Sequence, residues 1–289
     1  MSATPILITG ARGQLGLELQ ARAPADVTLT AIDLQELDIT DADATAAQVA
    51  AIRPRWIINC AAYTAVDKAE SDSALAMRVN RDGARHLAQA ARQHGARLVH
   101  ISTDFVFDGR KSSPYLPDDP PHPLGSYGQT KLEGELAVAQ ASDGDALIVR
   151  TAWLYSAHGA NFAKTILRLL AERPEVRVVA DQVGTPTSAG TLADTLWKLI
   201  AANASGGRYH YTDSGVASWY DFAVAIRAAA SRHQQRTLPP VLPIRTEDYP
   251  TPARRPAYSV LDRQRTLAIT GPAPHWQEAL ESVMAQLLA

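Results

Sequence analysis

A tyrosine and a lysine four positions apart near the middle of the chain give the first sign of chemistry. Tyr127 and Lys131 lie where a proline-rich approach gives way to helix-forming residues. Residues four apart share one face of a helix, so we expect the Lys131 ammonium to lie near the Tyr127 hydroxyl. Because a nearby cation favours an ionised phenol, this spacing predicts a lowered tyrosine pKa and a general acid. An ordinary helix start has the same spacing, so the interpretation depends on finding a cofactor site and a further hydroxyl.

A glycine-rich turn near the start of the chain predicts the cofactor site. Residues 5–9 form an apolar run, and Gly10, Gly13 and Gly16 follow at intervals of three before a helical stretch. Glycines permit a tight turn and a close approach of the backbone to a pyrophosphate, which then lies at the N-terminus of the helix. The pattern differs from the two-and-three spacing of the Rossmann fingerprint. Its position after the first strand nevertheless predicts a bound dinucleotide.

Two residues of opposite charge bear on which dinucleotide binds. Asp33 ends the second apolar run, 27–32, where an acid can accept hydrogen bonds from the adenosine ribose and repel a 2′-phosphate. Arg12, inside the glycine turn, can pair with that phosphate. Asp33 therefore favours NADH and Arg12 favours NADPH, and we expect either cofactor to be used. A solvated carboxylate at a strand end remains the alternative for Asp33.

Alternating strands and helices predict the fold. Further strands are expected at 56–62, 97–101 and 145–150, with helices at 41–52, 71–94 and from Tyr127 onward. This order predicts an α/β protein with a doubly wound, Rossmann-like parallel sheet, in which Thr103 follows the fourth strand and points into the ligand crevice. We expect a dinucleotide-binding domain over 1–150. Residues 151–289 are expected to be a smaller α/β substrate-binding region, with some elements returning to the sheet.

The second half of the chain alternates helices with irregular segments. Helices are expected at 161–170, 192–202, 219–230 and 275–288, and a strand at 176–179. Residues 181–187 are expected to form an irregular loop. Residues 238–256 contain six prolines, which disfavour a long regular element and predict a loop that lines the substrate site.

The composition excludes several classes of function. The 289 residues carry a net charge of -2 and a pI near 6.4, which argues against nucleic acid or an anionic membrane as the main partner. Cys60 is the only cysteine, so neither an internal disulfide nor a thiolate metal cluster is expected. Residues 1–5 lack a basic and apolar leader, and no run approaches a membrane span. We expect a cytoplasmic protein.

Several longer motifs resemble one family, the dTDP-4-dehydrorhamnose reductases of the extended short-chain dehydrogenase/reductase superfamily. The glycine spacing, Thr103, Tyr127 and Lys131 fit the superfamily as a whole. The narrower likeness is carried by residues 59–70 (NCAAYTAVDKAE), 102–107 (STDFVF), 181–187 (DQVGTPT) and 249–256 (YPTPARRP). The resemblance extends from residue 5 to the end of the chain.

The resemblance implies NADPH- or NADH-dependent reduction of the C4 ketone of dTDP-6-deoxy-L-lyxo-4-hexulose to dTDP-L-rhamnose, a precursor for lipopolysaccharide O-antigen. Tyr127 would protonate the ketone oxygen, Lys131 would stabilise the phenolate and hold the nicotinamide ribose, and Thr103 would orient the ketone. The implied cofactor contacts are Gly13, Gln14 and Leu15 with the pyrophosphate, Asp33 with the ribose, Asp38 and Ile39 with adenine, and Ala62, Tyr63 and Thr64 with the midsection. The implied sugar contacts are Thr103, Asp104 and Trp153, and charge suggests Arg254 and Arg255 as diphosphate ligands.

Other functions stay open at this point. A sugar-nucleotide dehydratase is disfavoured because Phe105 stands where that branch carries a glutamate. An epimerase, another sugar-nucleotide reductase, or a non-catalytic NADP-binding regulatory subunit would keep much of the same pattern. Some family members are described as magnesium-dependent dimers bridged by glutamates. Glu18 fits that pattern, but residues 189–191 and Gln286 supply no acids, so no metal site is assigned and the chain is expected to be a monomer or a homodimer.

Overall fold

A six-stranded parallel sheet lies at the centre of the protein. The computed structural model describes residues 3–289. Met1 and Ser2 lie outside the described residues. They are the first residues of the predicted dinucleotide-binding domain and of the segment considered as a leader. The described strands are β1 (Thr4–Thr9), β2 (Val27–Ile32), β3 (Trp56–Asn59), β4 (Arg97–Thr103), β5 (Leu147–Thr151), β6 (Leu154–Tyr155), β7 (Val176–Val179), β8 (Val183–Gly184), β9 (Thr187–Ser188), β10 (Gly207–His210), β11 (Ala217–Ser218) and β12 (Val241–Ile244). The described α-helices are α1 (Gln14–Ala21), α2 (Ala42–Ile52), α3 (Ser73–Met77), α4 (Ala84–Gln93), α5 (Ser126–Ala141), α6 (Phe162–Glu172), α7 (Ala189–Ala201), α8 (Trp219–Gln234), α9 (Gln264–Thr270) and α10 (Trp276–Leu288).

The order of the strands creates the ligand crevice. The sheet runs β10-β5-β4-β3-β1-β2, and every neighbouring pair is parallel. From β1 the chain goes outward to β2 and then crosses to β3 on the other side of β1. In open parallel sheets such a reversal opens a crevice at the carboxyl ends of the strands. Thr9 is in register with Ile32 and Asn59, and Thr103 with Thr151, so the segments that follow these strands meet at one edge. The predicted α/β class and doubly wound sheet are confirmed.

Apolar side chains alternate between the two faces of the sheet. Ile6 and Ile8 pack with Leu192 of α7 on one face, whereas Leu7 packs with Leu87 of α4 on the other. All five side chains are fully buried. Because helices cover both faces, the strands are continuously apolar, as in other buried parallel sheets.

The remainder of the chain forms a second, smaller apolar cluster. Helices α6, α8 and α10 pack together beside the parallel pair β7 and β12. Phe222 of α8 lies at the centre of this cluster, against Tyr155 and Trp276. Strand β10 and helix α7 also come from beyond residue 150, but they belong to the central sheet and its covering layer. The boundary near residue 150 remains a prediction.

Several sequence-based expectations differ from the structure. The third strand ends at Asn59 and not at Ala62, and the helix expected over 71–94 is broken by a π-helical segment, Arg78–Gly83. The segment 181–187, expected to be irregular, contains β8 and the first residue of β9. Strand β10 was not predicted because it is four residues long and begins at the second of two consecutive glycines. The proline-rich segment 238–256 contains β12, which tolerates Pro243 because it pairs only with β7.

Within residues 3–289, none of the helices is both long and apolar enough to cross a bilayer.

Candidate active site

A cleft of about 950 Å³ opens at the carboxyl edge of the sheet. It is lined by the glycine turn, the ends of β2 to β5 and the first turn of α5. The far wall comes from Trp153, Trp219 and Arg255. The sequence-predicted site residues that line the cleft are Gly10, Gly13, Gln14, Leu15, Gly16, Asp33, Asp38, Ile39, Ala62, Tyr63, Thr64, Thr103, Asp104, Tyr127, Lys131, Trp153 and Arg255. Arg12 and Arg254 are the two that the structure does not bring to the cleft wall.

The glycine turn forms a cradle that side chains would fill. Gly10 has φ of +69°, and a Cβ there would lie 2.5 Å from the Ala61 nitrogen. A Cβ at Gly16 would lie 2.4 Å from the Gly10 carbonyl oxygen. Helix α1 begins after Gly13 without a side-chain cap, which leaves its first amides available to an anion. These features fit the pyrophosphate of a dinucleotide.

Asp33 lines the cleft at the end of β2. Its two carboxylate oxygens accept hydrogen bonds from the backbone N–H groups of Arg12, at 2.7 Å, and Leu34, at 2.8 Å. The Arg12 guanidinium donates to Gln35 at 2.6 Å and to Glu36. These neighbouring acceptors hold the guanidinium at the surface, and its contact with a phosphate stays a prediction.

Asn80 holds the loop that lines the middle of the cleft, and sequence reasoning missed it. Its amide accepts from the Tyr63 N–H at 2.9 Å and donates to the Tyr63 carbonyl at 3.1 Å. It also donates to the Thr130 hydroxyl of α5 at 3.0 Å. Asn80 is 1% exposed and lies in the π-helical segment, a distortion that is frequent at functional sites. An amide within an otherwise helical pattern was the only available signal.

Helix α5 is started by a residue far away in sequence. Glu70, at the end of the motif 59–70, accepts hydrogen bonds from the Ser126 N–H at 2.8 Å and the Ser126 hydroxyl at 3.1 Å. A carboxylate at a helix N-terminus satisfies free amides and complements the helix dipole. Gly128 then lets α5 pass close to the turn that follows β4, since a Cβ there would lie 2.2 Å from the Phe105 carbonyl oxygen. Tyr127 and Lys131 thereby enter the cleft.

The electrostatics of the Tyr127 and Lys131 pair differ from the prediction. Burial raises the pKa of Tyr127 to about 12; the Thr103 hydroxyl opposes this rise, and the Asp104 carboxylate adds to it. Lys131 donates instead to the Ile101 carbonyl at 2.6 Å. Burial also lowers the pKa of Lys131 to about 8, opposed by Glu135. The expected lowering of the tyrosine pKa is thus wrong, because burial raises it and the Lys131 ammonium is directed to the Ile101 carbonyl.

Asp104 is a buried carboxylate among the residues that line the cleft. Its Oδ1 accepts a hydrogen bond from the Thr103 hydroxyl at 3.0 Å. Burial raises the pKa of this carboxyl to about 6, and hydrogen bonds from the Ser259 and Thr103 hydroxyls oppose the rise. Burial therefore disfavours the charged form of this carboxyl.

One end of the cleft is aromatic. Trp153 has φ of +49° and stacks on Trp219, with ring centroids 3.6 Å apart and an angle of 7° between the planes. Trp219 was not predicted as a site residue, because nothing in the sequence links it to residue 153. Arg255 lines the cleft while its guanidinium pairs with Asp67 at 3.1 and 2.9 Å. Arg254 is exposed and does not line the cleft, and its diphosphate contact stays a prediction.

A buried ion pair supports the strands and helix behind the site. Glu135 of α5 accepts from Arg150 of β5 at 2.8 and 2.6 Å and from the Ser102 hydroxyl of β4 at 2.5 Å. Glu135 and Arg150 are 0% and 1% exposed. Two charged residues inside regular elements were the only sign of this pair in the sequence. Together they fix α5 to two strands next to Thr103.

No group of three acidic, histidine or cysteine side chains within residues 3–289 is arranged to hold a metal ion. Glu18, the residue that fitted the magnesium pattern, is paired with Arg22 at 3.0 Å.

Comparison with known proteins identifies the family. The family model described as RmlD substrate binding domain matches residues 4–289. The dTDP-4-dehydrorhamnose reductase of Aggregatibacter actinomycetemcomitans is 42% identical, with 97% of this chain and 98% of the relative covered. The Escherichia coli K12 protein of the same name is 39% identical, with 98% and 97% covered.

Solved structures agree with the sequence comparison. A dTDP-4-dehydrorhamnose reductase from Clostridium acetobutylicum superposes with a TM-score of 0.93 at 43% identity, covering 99% of this chain and all of that one. A Bacillus anthracis dTDP-4-dehydrorhamnose reductase, solved in complex with NADP, gives 0.92 at 39% identity, with 98% and 99% covered. A Thermus thermophilus UDP-glucose 4-epimerase, at 21% identity and a TM-score of 0.82, shares the fold. The resemblance read from the motifs is confirmed, and the chain belongs to the dTDP-4-dehydrorhamnose reductase family.

Proposed function

We propose that this chain reduces the C4 ketone of dTDP-6-deoxy-L-lyxo-4-hexulose with NADPH or NADH to give dTDP-L-rhamnose. One observation carries the proposal: Tyr127, Lys131 and Thr103 line the same cleft as the glycine cradle. The part of the cleft that would hold the cofactor thus adjoins a proton donor, Tyr127, and a hydroxyl that can orient a ketone, Thr103. We further propose that residues 1–150 mainly bind the dinucleotide and that residues 151–289 mainly bind the sugar nucleotide.

The cofactor-binding residues follow from the shape of the cleft. The cradle at Gly10 and Gly16 and the uncapped start of α1 suit the pyrophosphate, and Asp33 suits the adenosine ribose. The loop held by Asn80 suits the midsection. When bound, the reduced nicotinamide supplies the hydride for the carbonyl carbon.

Tyr127 is the proton donor to the carbonyl oxygen. A reduction places negative charge on that oxygen, so the acid must hold its proton until the charge forms. The raised pKa of Tyr127 keeps the phenol protonated at neutral pH, which is the state the reduction needs. Thr103 donates a hydrogen bond that orients the ketone.

Lys131 and Asp104 complete the arrangement. With a pKa near 8, Lys131 is mainly charged at neutral pH, and it stabilises the phenolate that Tyr127 leaves behind. Its bond to the Ile101 carbonyl fixes the direction of the ammonium. Asp104, which lines the cleft beside Thr103, contacts the sugar.

The test is an assay of the purified protein with NADPH and the dTDP-linked 4-keto-6-deoxy sugar. We expect one NADPH to be oxidised for each sugar reduced, with dTDP-L-rhamnose identified by NMR. An epimerase would interconvert sugars without net consumption of NADPH. A regulatory subunit would bind NADPH without oxidising it. Either result would refute the proposal.

A further inference from the structure

The motif at residues 181–187 has no part in the proton transfer, yet it lies directly against the sugar end of the cleft. A Cβ placed on Gly184 would come within 2.7 Å of Cε2 and 2.8 Å of Nε1 of the Trp153 indole. Gly184 is not among the residues with positive φ, so its backbone does not demand glycine. Its lack of a side chain instead leaves space for the Trp153 ring.

The same motif also sets the position of Trp219. Gly184 and Val183 pair antiparallel with Ala217 and Ser218. The Ser218 side chain caps α8 in a capping box with Asp221, which makes Trp219 the first residue of that helix. One short loop therefore determines both the space for one indole and the start of the helix that carries the other.

The backbone of Trp153 requires such support. A φ of +49° is unfavourable for a bulky aromatic residue and persists only where the surroundings enforce it. The Trp153 carbonyl accepts from the Thr187 N–H at 3.2 Å, within the same motif. Trp219, which stacks on the indole at 3.6 Å, is itself backed by Phe162 at 4.6 Å. The strained backbone and the stacked ring thus depend on the motif and on α8.

We propose that Gly184 and Trp219 are positioning residues that hold Trp153 as a flat platform for the 6-deoxyhexose, and that this platform sets the affinity for the sugar. The C–H faces and methyl group of a 6-deoxy sugar are apolar and match the face of an indole. Both indoles line the cleft that Tyr127 also lines. The inference rests on the proposed reductase function and adds two residues to the sugar subsite.

The test compares Trp219→Leu, Trp219→Phe and Gly184→Ala with a control, Trp276→Phe. Trp276 lies in the same aromatic cluster, 5.9 Å from Phe222, but does not line the cleft. We expect Trp219→Leu and Gly184→Ala to raise KM for the sugar nucleotide about five- to tenfold, the range of an aromatic stacking contact. Trp219→Phe should recover most of this loss. The kcat and the Kd of NADPH should change less than about twofold in all four variants.

A spectroscopic readout separates positioning from general structural damage. Two stacked indoles couple in the far-ultraviolet circular dichroism spectrum, and the couplet should vanish in both Trp219 variants. It should weaken in Gly184→Ala, where both indoles remain, and persist in Trp276→Phe. An unchanged couplet in Gly184→Ala, or an unchanged KM in Trp219→Leu, would overturn the inference.

Failure of the proposed function would look different. In that case the parent protein would not oxidise NADPH with the 4-keto sugar, whereas the couplet and its response to Gly184→Ala would remain. Binding of dTDP-L-rhamnose by calorimetry then replaces KM as the affinity readout. Equal affinity of the parent and Trp219→Leu for that ligand would also overturn the platform.

Discussion

The two ends of the cleft are built in different ways. The proposed cofactor floor comes from residues 10–39, close together in sequence, and works through backbone amides, absent side chains and one carboxylate. The proposed sugar wall comes from Trp153, Trp219 and Arg255, with Gly184 packed against the Trp153 ring; these residues are spread over a hundred positions and meet only through tertiary packing. A floor of this kind tolerates few changes at its glycines, whereas the wall can be altered one side chain at a time. Tyr127 lies between the two.

The largest expected effect on kcat comes from substitution of Tyr127, the residue between floor and wall. Tyr127→Phe removes the proton donor, and we expect kcat to fall by about 10²-fold or more, the usual contribution of a general acid. The Kd of NADPH and the KM of the sugar nucleotide should change little, because neither end of the cleft is altered. Steady-state kinetics and calorimetry give all three values. A variant with near-parent kcat would show that another group delivers the proton.

Gly10→Ala tests the floor. A Cβ at this position meets the Ala61 backbone at 2.5 Å, and φ is +69°, so we expect a loss of about 1–3 kcal/mol in the free energy of unfolding and much weaker NADPH binding. Gly95→Ala is a matched control, because Gly95 has the same φ of +69° but no atom within 4 Å of the added Cβ. Urea denaturation gives the free energy of unfolding of both variants, and the difference between their losses is the contribution of the contact with the Ala61 backbone. Equal losses would mean that backbone conformation alone requires glycine at residue 10.

Asp104→Asn tests whether the buried Asp104 carboxyl lowers the stability of the protein at neutral pH. The folded-state pKa of about 6 lies above the ordinary 3.8, so the folded protein binds the proton more tightly and loses stability as the pH rises through this window. We expect Asp104→Asn to gain on the order of 1–3 kcal/mol in the free energy of unfolding at pH 7, with little gain below pH 4. Urea denaturation at the two pH values measures this difference. A gain in stability that does not depend on pH would contradict the raised pKa of Asp104. The same variant should also raise the KM of the sugar nucleotide, because one hydrogen-bond acceptor is lost.

The smallest effect is expected at the outer rim of the floor. Glu36 holds the Arg12 guanidinium at the surface, and an exposed ion pair contributes only about 0–1 kcal/mol. Freeing Arg12 by Glu36→Gln is expected to tighten NADPH binding about two- to fivefold, since the 2′-phosphate then has less competition. Arg12→Ala should weaken NADPH binding by a similar factor. NADH affinity, measured by the same titration, is the internal control, and a parallel change in both cofactors would contradict a phosphate contact.

The same contrast explains what the sequence could predict. Gly10, Gly16 and Asp33 were found because local spacing alone specifies a strand, a turn and a helix start. Tyr127 and Lys131 were found because four residues make one helical turn, but the sign of the tyrosine pKa shift was wrong because burial cannot be read from spacing. Trp219 and Asn80 were missed, since each acquires its role only from a distant partner. The buried pair of Glu135 and Arg150 was missed for the same reason.

The cap on α5 makes the proton donor conditional on another part of the chain. Ser126 donates two hydrogen bonds to Glu70, fifty-six residues earlier, and Glu70 belongs to the segment that borders the middle of the cleft. An isolated fragment carrying only α5 would therefore lack the contact that fixes where the helix begins. The position of the Tyr127 hydroxyl thus depends on a segment of the N-terminal half of the chain.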